Sequence, residues 1–176
     1  MGLSGIMADA GLTNGAFYTH FASKDDLVRE TLVHALEAQE IELKTLADAS
    51  GNVVLAIRNY LSARHRDNAG SGCPSASLLG EVGRQPIETR EAYTDCLVSV
   101  IDLIAAALPG NNPDINPGDA RRRALAIFGL MAGTLQLSRA VTDISLSNEI
   151  LEAGASAAIA LAGQQPTPPD RETASS

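Results

Sequence analysis

The chain has 176 residues, 45% of them apolar and only 3% aromatic, and a net charge of −8. This suits a soluble globular protein with one ordinary core or two small linked ones. The charge argues against a generally adhesive nucleic-acid binder, so any contact with DNA has to be local. No basic segment precedes an apolar run at the N-terminus, and the longest apolar run, ALAIFGLMAGTLQL, falls short of the ~20 residues a membrane span needs. With no export signal, Cys73 and Cys96 are expected to be reduced thiols of a cytoplasmic protein.

Apolar β-branched and aromatic residues nowhere alternate with polar ones for long, so an all-α fold is expected. Leu3–Ala10 reads as a short helix stopped by Gly11. Thr13 caps a second, Asn14–His20. Asn14-Gly15 is also a hairpin signal, but MADAGL supplies no alternating strand to pair with AFYTHF. Ser23 starts a long third helix with Asp26 as capping-box partner, acids in its first turn, and Val28, Leu32, Leu36, Leu43 and Leu46 at helical spacing.

Further helices are expected over 52–68, from Pro74 to Gly83, and from Pro86 to Leu108. After the loop PGNNPDINPGD come two small-residue helices, 118–141 and 147–163. The tail, 164–176, has too little apolar surface to be ordered.

Three of the six Phe and Tyr residues fall within AGLTNGAFYTHFASKDDL. Helix, Gly-containing turn, helix and a capped third helix make up helix-turn-helix geometry, whose second helix enters the major groove. Phe17 and Phe21, with Ile6 and Leu27, would form the small core that holds that helix. Burial of each ring contributes roughly 1.5–3 kcal/mol.

Met7 through Leu27 resembles, nearly residue for residue, the DNA-binding signature of the tetracycline-repressor (TetR/AcrR) family of bacterial regulators. The resemblance implies a helix-turn-helix headpiece over residues 1–35 that runs into a connecting helix. A helical-bundle effector-binding and dimerisation domain would span 36–163. It also implies that Thr13, Asn14, Gly15 and Ala16 lie at the groove and that Tyr18, His20 and Lys24 touch phosphates. Of the groove residues only Asn14 has a side chain able to hydrogen-bond a base edge. GCPSASLLGEV and LSRAVTDISLSNEIL are similar to segments of a regulator subgroup that includes reactive-electrophile sensors.

The sequence departs from this family in one respect. Another basic helix precedes the signature there, whereas this sequence opens at Met1-Gly2-Leu3. The expectations are a start assigned too late, reduced cover over Ile6, Phe17 and Phe21, a frayed headpiece and weak operator binding. The first 35 residues carry Lys24 and Arg29 against Asp9, Asp25, Asp26 and Glu30, a poor electrostatic footprint for DNA.

Tyr60, Cys96 and Phe128 are candidate effector-binding residues, as bulky or polarisable side chains on Ala/Leu-rich helices; equally, each reads as core filler. Cys73 precedes Pro74 at a helix start, where a thiolate would be stabilised, making it a candidate redox or electrophile sensor; the plainer reading is a cap cysteine. Gly129 and Gly133 form a GxxxG motif that serves close helix approach, either between two copies through the last two helices or within one chain. Arg121–Arg123 reads as a solvated helix start.

The three histidines and two cysteines show no metal-ligand spacing, so neither metal nor cofactor is expected. No nucleophile–base pair, phosphate loop or carboxylate dyad points to an enzyme. The expected function is a homodimeric, small-molecule-responsive repressor of operator DNA. The alternative is a dimerising small-molecule-binding protein that has lost operator binding.

Overall fold

The structure, a computed structural model, describes residues 2–50, 53–108 and 117–163. The tail 164–176, most of the loop before the penultimate helix, and the side chains of Asn14, Leu43 and Leu46 lie outside the described residues.

Every regular element among the described residues is helical: α1 (Leu3–Asp9), α2 (Asn14–Phe17), α3 (Lys24–Ser50), α4 (Val53–Tyr60), α5 (Ala63–Asp67), α6 (Pro74–Val82), α7 (Ile87–Ala107), α8 (Pro117–Ala140) and α9 (Ile144–Leu161). A single 3-10 turn, Ala69–Ser71, links α5 to α6.

Local chemistry sets the ends. Gly11, at φ 67°, adopts the left-handed conformation after α1, and Leu12 N–H returns to the Met7 carbonyl at 2.8 Å. A side chain there would be strained, so glycine stops the helix. α2 ends at Phe17, earlier than the expected His20, because Thr19 donates its hydroxyl to the Ala16 carbonyl at 2.6 Å and the chain tightens into turns. Such side-chain bonds compete with the helical ladder.

The helix expected over 52–68 is interrupted at Ser62, whose backbone is extended (φ −109°, ψ 154°) and whose hydroxyl accepts from His65 N–H at 3.2 Å. It caps α5 as a separate helix. α9 begins at Ile144 rather than Ser147, because Asp143 Oδ1 accepts from Ser145 N–H at 2.8 Å and Leu146 N–H at 3.3 Å.

α8 lies along α9, α7 packs on α8, and α3 packs on α7. The main core gathers Ile57 from α4, Val100 and Ile101 from α7, Ile127 and Leu135 from α8, and Ala158 and Ile159 from α9. A second cluster joins Leu32 and Leu36 of α3 to Val82 of α6 and Tyr93 of α7. The domain boundary expected at residue 35 thus falls inside α3, between two leucines of one cluster.

The two expected roles of the glycines separate clearly. A Cβ on Gly154 would lie 2.4 Å from Thr134 of α8, whereas one on Gly129 or Gly133 would meet nothing within 4 Å. Close approach within the chain therefore belongs to Gly154 and not to the GxxxG motif. Gly154→Ala should lower stability by about 1–3 kcal/mol through overpacking, while Gly129→Ala should leave the transition unchanged or raised; denaturant titration of both variants checks this.

Candidate functional site

The headpiece is built around Phe17, which is 2% exposed and sits between two rings: Tyr18 edge-on at 5.1 Å between centroids and Phe21 at 5.3 Å. Met7 is buried with it, while Ile6, Phe21 and Leu27 are half-buried.

Thr13 Oγ1 accepts from Ala16 N–H at 3.3 Å, so the cap of the recognition helix is formed. Around that helix Thr13, Gly15, Tyr18, His20 and Lys24 are exposed and Ala16 is half-exposed. The backbone of Asn14 forms the first residue of α2. The residues expected at DNA therefore surround one short helix, and Tyr18, 67% exposed, turns its ring edge to Phe17 while the rest of the ring faces solvent.

α3 starts beside this face. Ser23 Oγ accepts from Asp26 N–H at 3.1 Å, and Asp26 Oδ2 accepts from Ala22 N–H at 3.0 Å, one residue further back than a standard capping box. Arg29 donates to Asp26 Oδ1 at 2.5 Å. This pairing draws one of the two headpiece cations toward an internal carboxylate.

The Arg29 guanidinium, with Ala22 N–H, holds the Asp26 carboxyl below its ordinary value. A depressed carboxyl contributes stability that is complete above the unfolded aspartate value and is lost as pH falls through the folded one.

In the helical body, α4, α7 and α8 enclose a cavity of about 30 Å³ lined by Ile57, Tyr60, Ile104, Ile127, Phe128 and Met131 among others. Two candidate effector residues, Tyr60 and Phe128, are brought together there. Cys96 is not: it packs half-buried against the α3–α7 cluster and serves as filler. A wider cleft of about 350 Å³ opens between α3 and α6, with Lys24 and Glu81 at its edge and Leu27, Leu32, Leu78 and Val82 on its walls.

Behind Tyr60 lies a polar lattice the sequence did not disclose. His65 packs edge-on against the Tyr60 ring at 4.7 Å. Its Nδ1 lies 2.7 Å from the Tyr60 carbonyl and its Nε2 accepts from Cys73 N–H at 3.0 Å, which fixes the neutral tautomer protonated at Nδ1. Arg139 donates to the His65 and Arg66 carbonyls and to Ser77 Oγ. Arg66, itself buried, donates to Asp67, Ser147 and Asn148. Ser75 and Tyr93 share a hydroxyl–hydroxyl bond of 3.0 Å. GCPSASLLGEV and LSRAVTDISLSNEIL thus meet through Arg139–Ser77, and Gln136, just before the second segment, donates to the Ser75 carbonyl.

Cys73 is the residue before Pro74 at the start of α6, as read, but it is only 3% exposed. The accessibility that a sensing thiol requires is missing in this conformation. Burial and the adjacent Cys73 push the Tyr60 phenol well above its ordinary range. The Tyr60 hydroxyl is buried, with the Cys73 side chain as its hydrogen-bonding neighbour.

Residues 1–31 match the family model described as bacterial regulatory proteins, tetR family. No curated protein matches the sequence. Among solved structures, Escherichia coli NemR in its reduced form superposes with a TM-score of 0.74 at 23% identity, over 96% of this chain and 88% of that one. That likeness establishes a shared all-helical fold.

Replacing Arg29 by Ala should move the Asp26 midpoint up toward the ordinary aspartate value and flatten the loss of stability as pH falls below that value; carboxyl NMR titration and acid denaturation of both proteins measure it.

Proposed function

Because its N-terminal segment matches the model of the tetR family of bacterial regulatory proteins, we propose that this chain is a homodimeric, ligand-responsive transcriptional repressor. The observation that carries the reading is the exposed ring of Thr13, Gly15, Tyr18, His20 and Lys24 around a capped helix whose inner side is fixed by buried Phe17. α2 presents its first turn to the major groove, and the exposed side chains beside it set register on phosphates. The effector site is the cavity between α4, α7 and α8.

Dimerisation is supported by a face that is left exposed among the described residues. Leu125, Gly129 and Leu137 on α8, with Leu146, Ala153, Ala157 and Leu161 on α9, are all exposed. Small residues at their centre permit close approach of a second copy, and a two-fold pair places its recognition helices one DNA turn apart.

A second reading, a dimerising small-molecule-binding protein without operator binding, is favoured by one feature. Arg29 is paired with Asp26 in a chain of net charge −8, so little positive charge is offered to phosphates.

Selection of bound duplexes from a randomised DNA library separates the two. The repressor reading expects enrichment of a palindrome with half-sites one helical turn apart. In that case Lys24→Ala should weaken binding across all sequences and reduce the salt slope by about 1. Failure to enrich any sequence would establish the second reading. Gly129→Arg, at an exposed position where an added Cβ meets nothing within 4 Å among the described residues, should leave the helical fold intact and convert the dimer to a monomer in sedimentation analysis.

A further inference from the structure

The cavity between α4, α7 and α8 has a wall with a definite chemistry. Ile57, Ile104, Ile127, Phe128 and Met131 supply carbon and one thioether, Tyr60 contributes its ring, and no nitrogen or oxygen surface faces the void. Resting on the reading of this cavity as the effector site, we propose that the molecule it takes is small, uncharged and hydrocarbon-like, and that carboxylates and ammonium ions are rejected.

The nearest polar groups do not contradict this. His65, Cys73, Ser75 and Arg139 are absent from the lining, and their hydrogen bonds are already directed elsewhere. The His65 ring engages the Tyr60 carbonyl and Cys73 N–H, and Arg139 engages two carbonyls and Ser77. An ion entering the void would leave its water and gain no counter-charge, and the Tyr60 hydroxyl offers no surface to the void. An apolar molecule loses nothing there, since a carbon-lined void of this kind stays dry.

Size adds a second restriction. At about 30 Å³ the void admits little more than a water molecule, so any ligand has to displace side chains. Met131, buried on α8, is the unbranched, flexible member of the wall and yields most readily. Single-ring and short-chain molecules therefore require the least displacement of the wall, and large planar drugs the most.

The test is methyl NMR of the full chain, labelled at Ile57, Ile104, Ile127 and Met131, titrated separately with benzene, cyclohexane, benzoate and cyclohexylammonium. Saturable shifts of these four methyls with benzene and cyclohexane, and none with the two ions at higher concentration, are the expected result. Ala56→Leu, which adds bulk to the wall, should abolish the shifts. Ile57→Val, which widens the void and conserves the fold, should strengthen the shifts of the remaining Ile104, Ile127 and Met131 methyls and guards against misfolding of the first variant. Equal shifts with benzoate or cyclohexylammonium would overturn the ligand class and leave the site standing. Shifts confined to residues elsewhere, or none with any of the four, would overturn the site and the class together.

Discussion

Leu32 and Leu36 press against Val82 and Tyr93, and through that contact the four-residue helix α2 gains a fixed position relative to a helical body. Both leucines are 2% exposed, and each buried side chain contributes roughly 1.5–3 kcal/mol. An isolated helix as short as α2 is not stable in water. It persists because Phe17 anchors it to α1, because Ser23 and Asp26 start α3 directly behind it, and because α3 is anchored in turn. The chain of dependence runs from core to surface.

The same cluster links headpiece and cavity. Val82 lies at the end of α6 and meets α3, while Cys73 at the start of α6 is tied to His65, whose ring leans on Tyr60 in the cavity wall. Gly72 makes this approach feasible, since a Cβ there would lie 2.7 Å from the His65 ring. A shift of Tyr60 and a shift of α6 are therefore mechanically related, which gives a ligand-responsive reading a material basis in packed, hydrogen-bonded groups.

Electrostatics pull the other way. The headpiece gathers aspartates at the start of α3, where they favour the helix dipole and pair with Arg29, and the same charges oppose phosphate. Helix stability and DNA affinity make conflicting demands on this one turn.

The sequence by itself determined the order and starts of the headpiece helices, and missed the end of α2 by three residues. Its signals are short-range: Thr13 to Ala16, Ser23 to Asp26, Gly11 after α1 and rings four apart all act within one or two turns of chain. It also determined the all-helical fold, because periodicity is a local property. The break at Ser62 and the early start of α9 were written locally as well, in Ser and Asp caps that a continuous apolar pattern obscured. Only the tertiary structure decided which glycine permits close packing, that Cys73 is buried, that Cys96 stands away from the cavity wall, and that His65, Arg66 and Arg139 knit α5 to α6, α8 and α9. Those facts depend on atoms brought together from positions as far as 82 residues apart, as in Arg66–Asn148. No pattern along a single helix records which face of another helix will meet it.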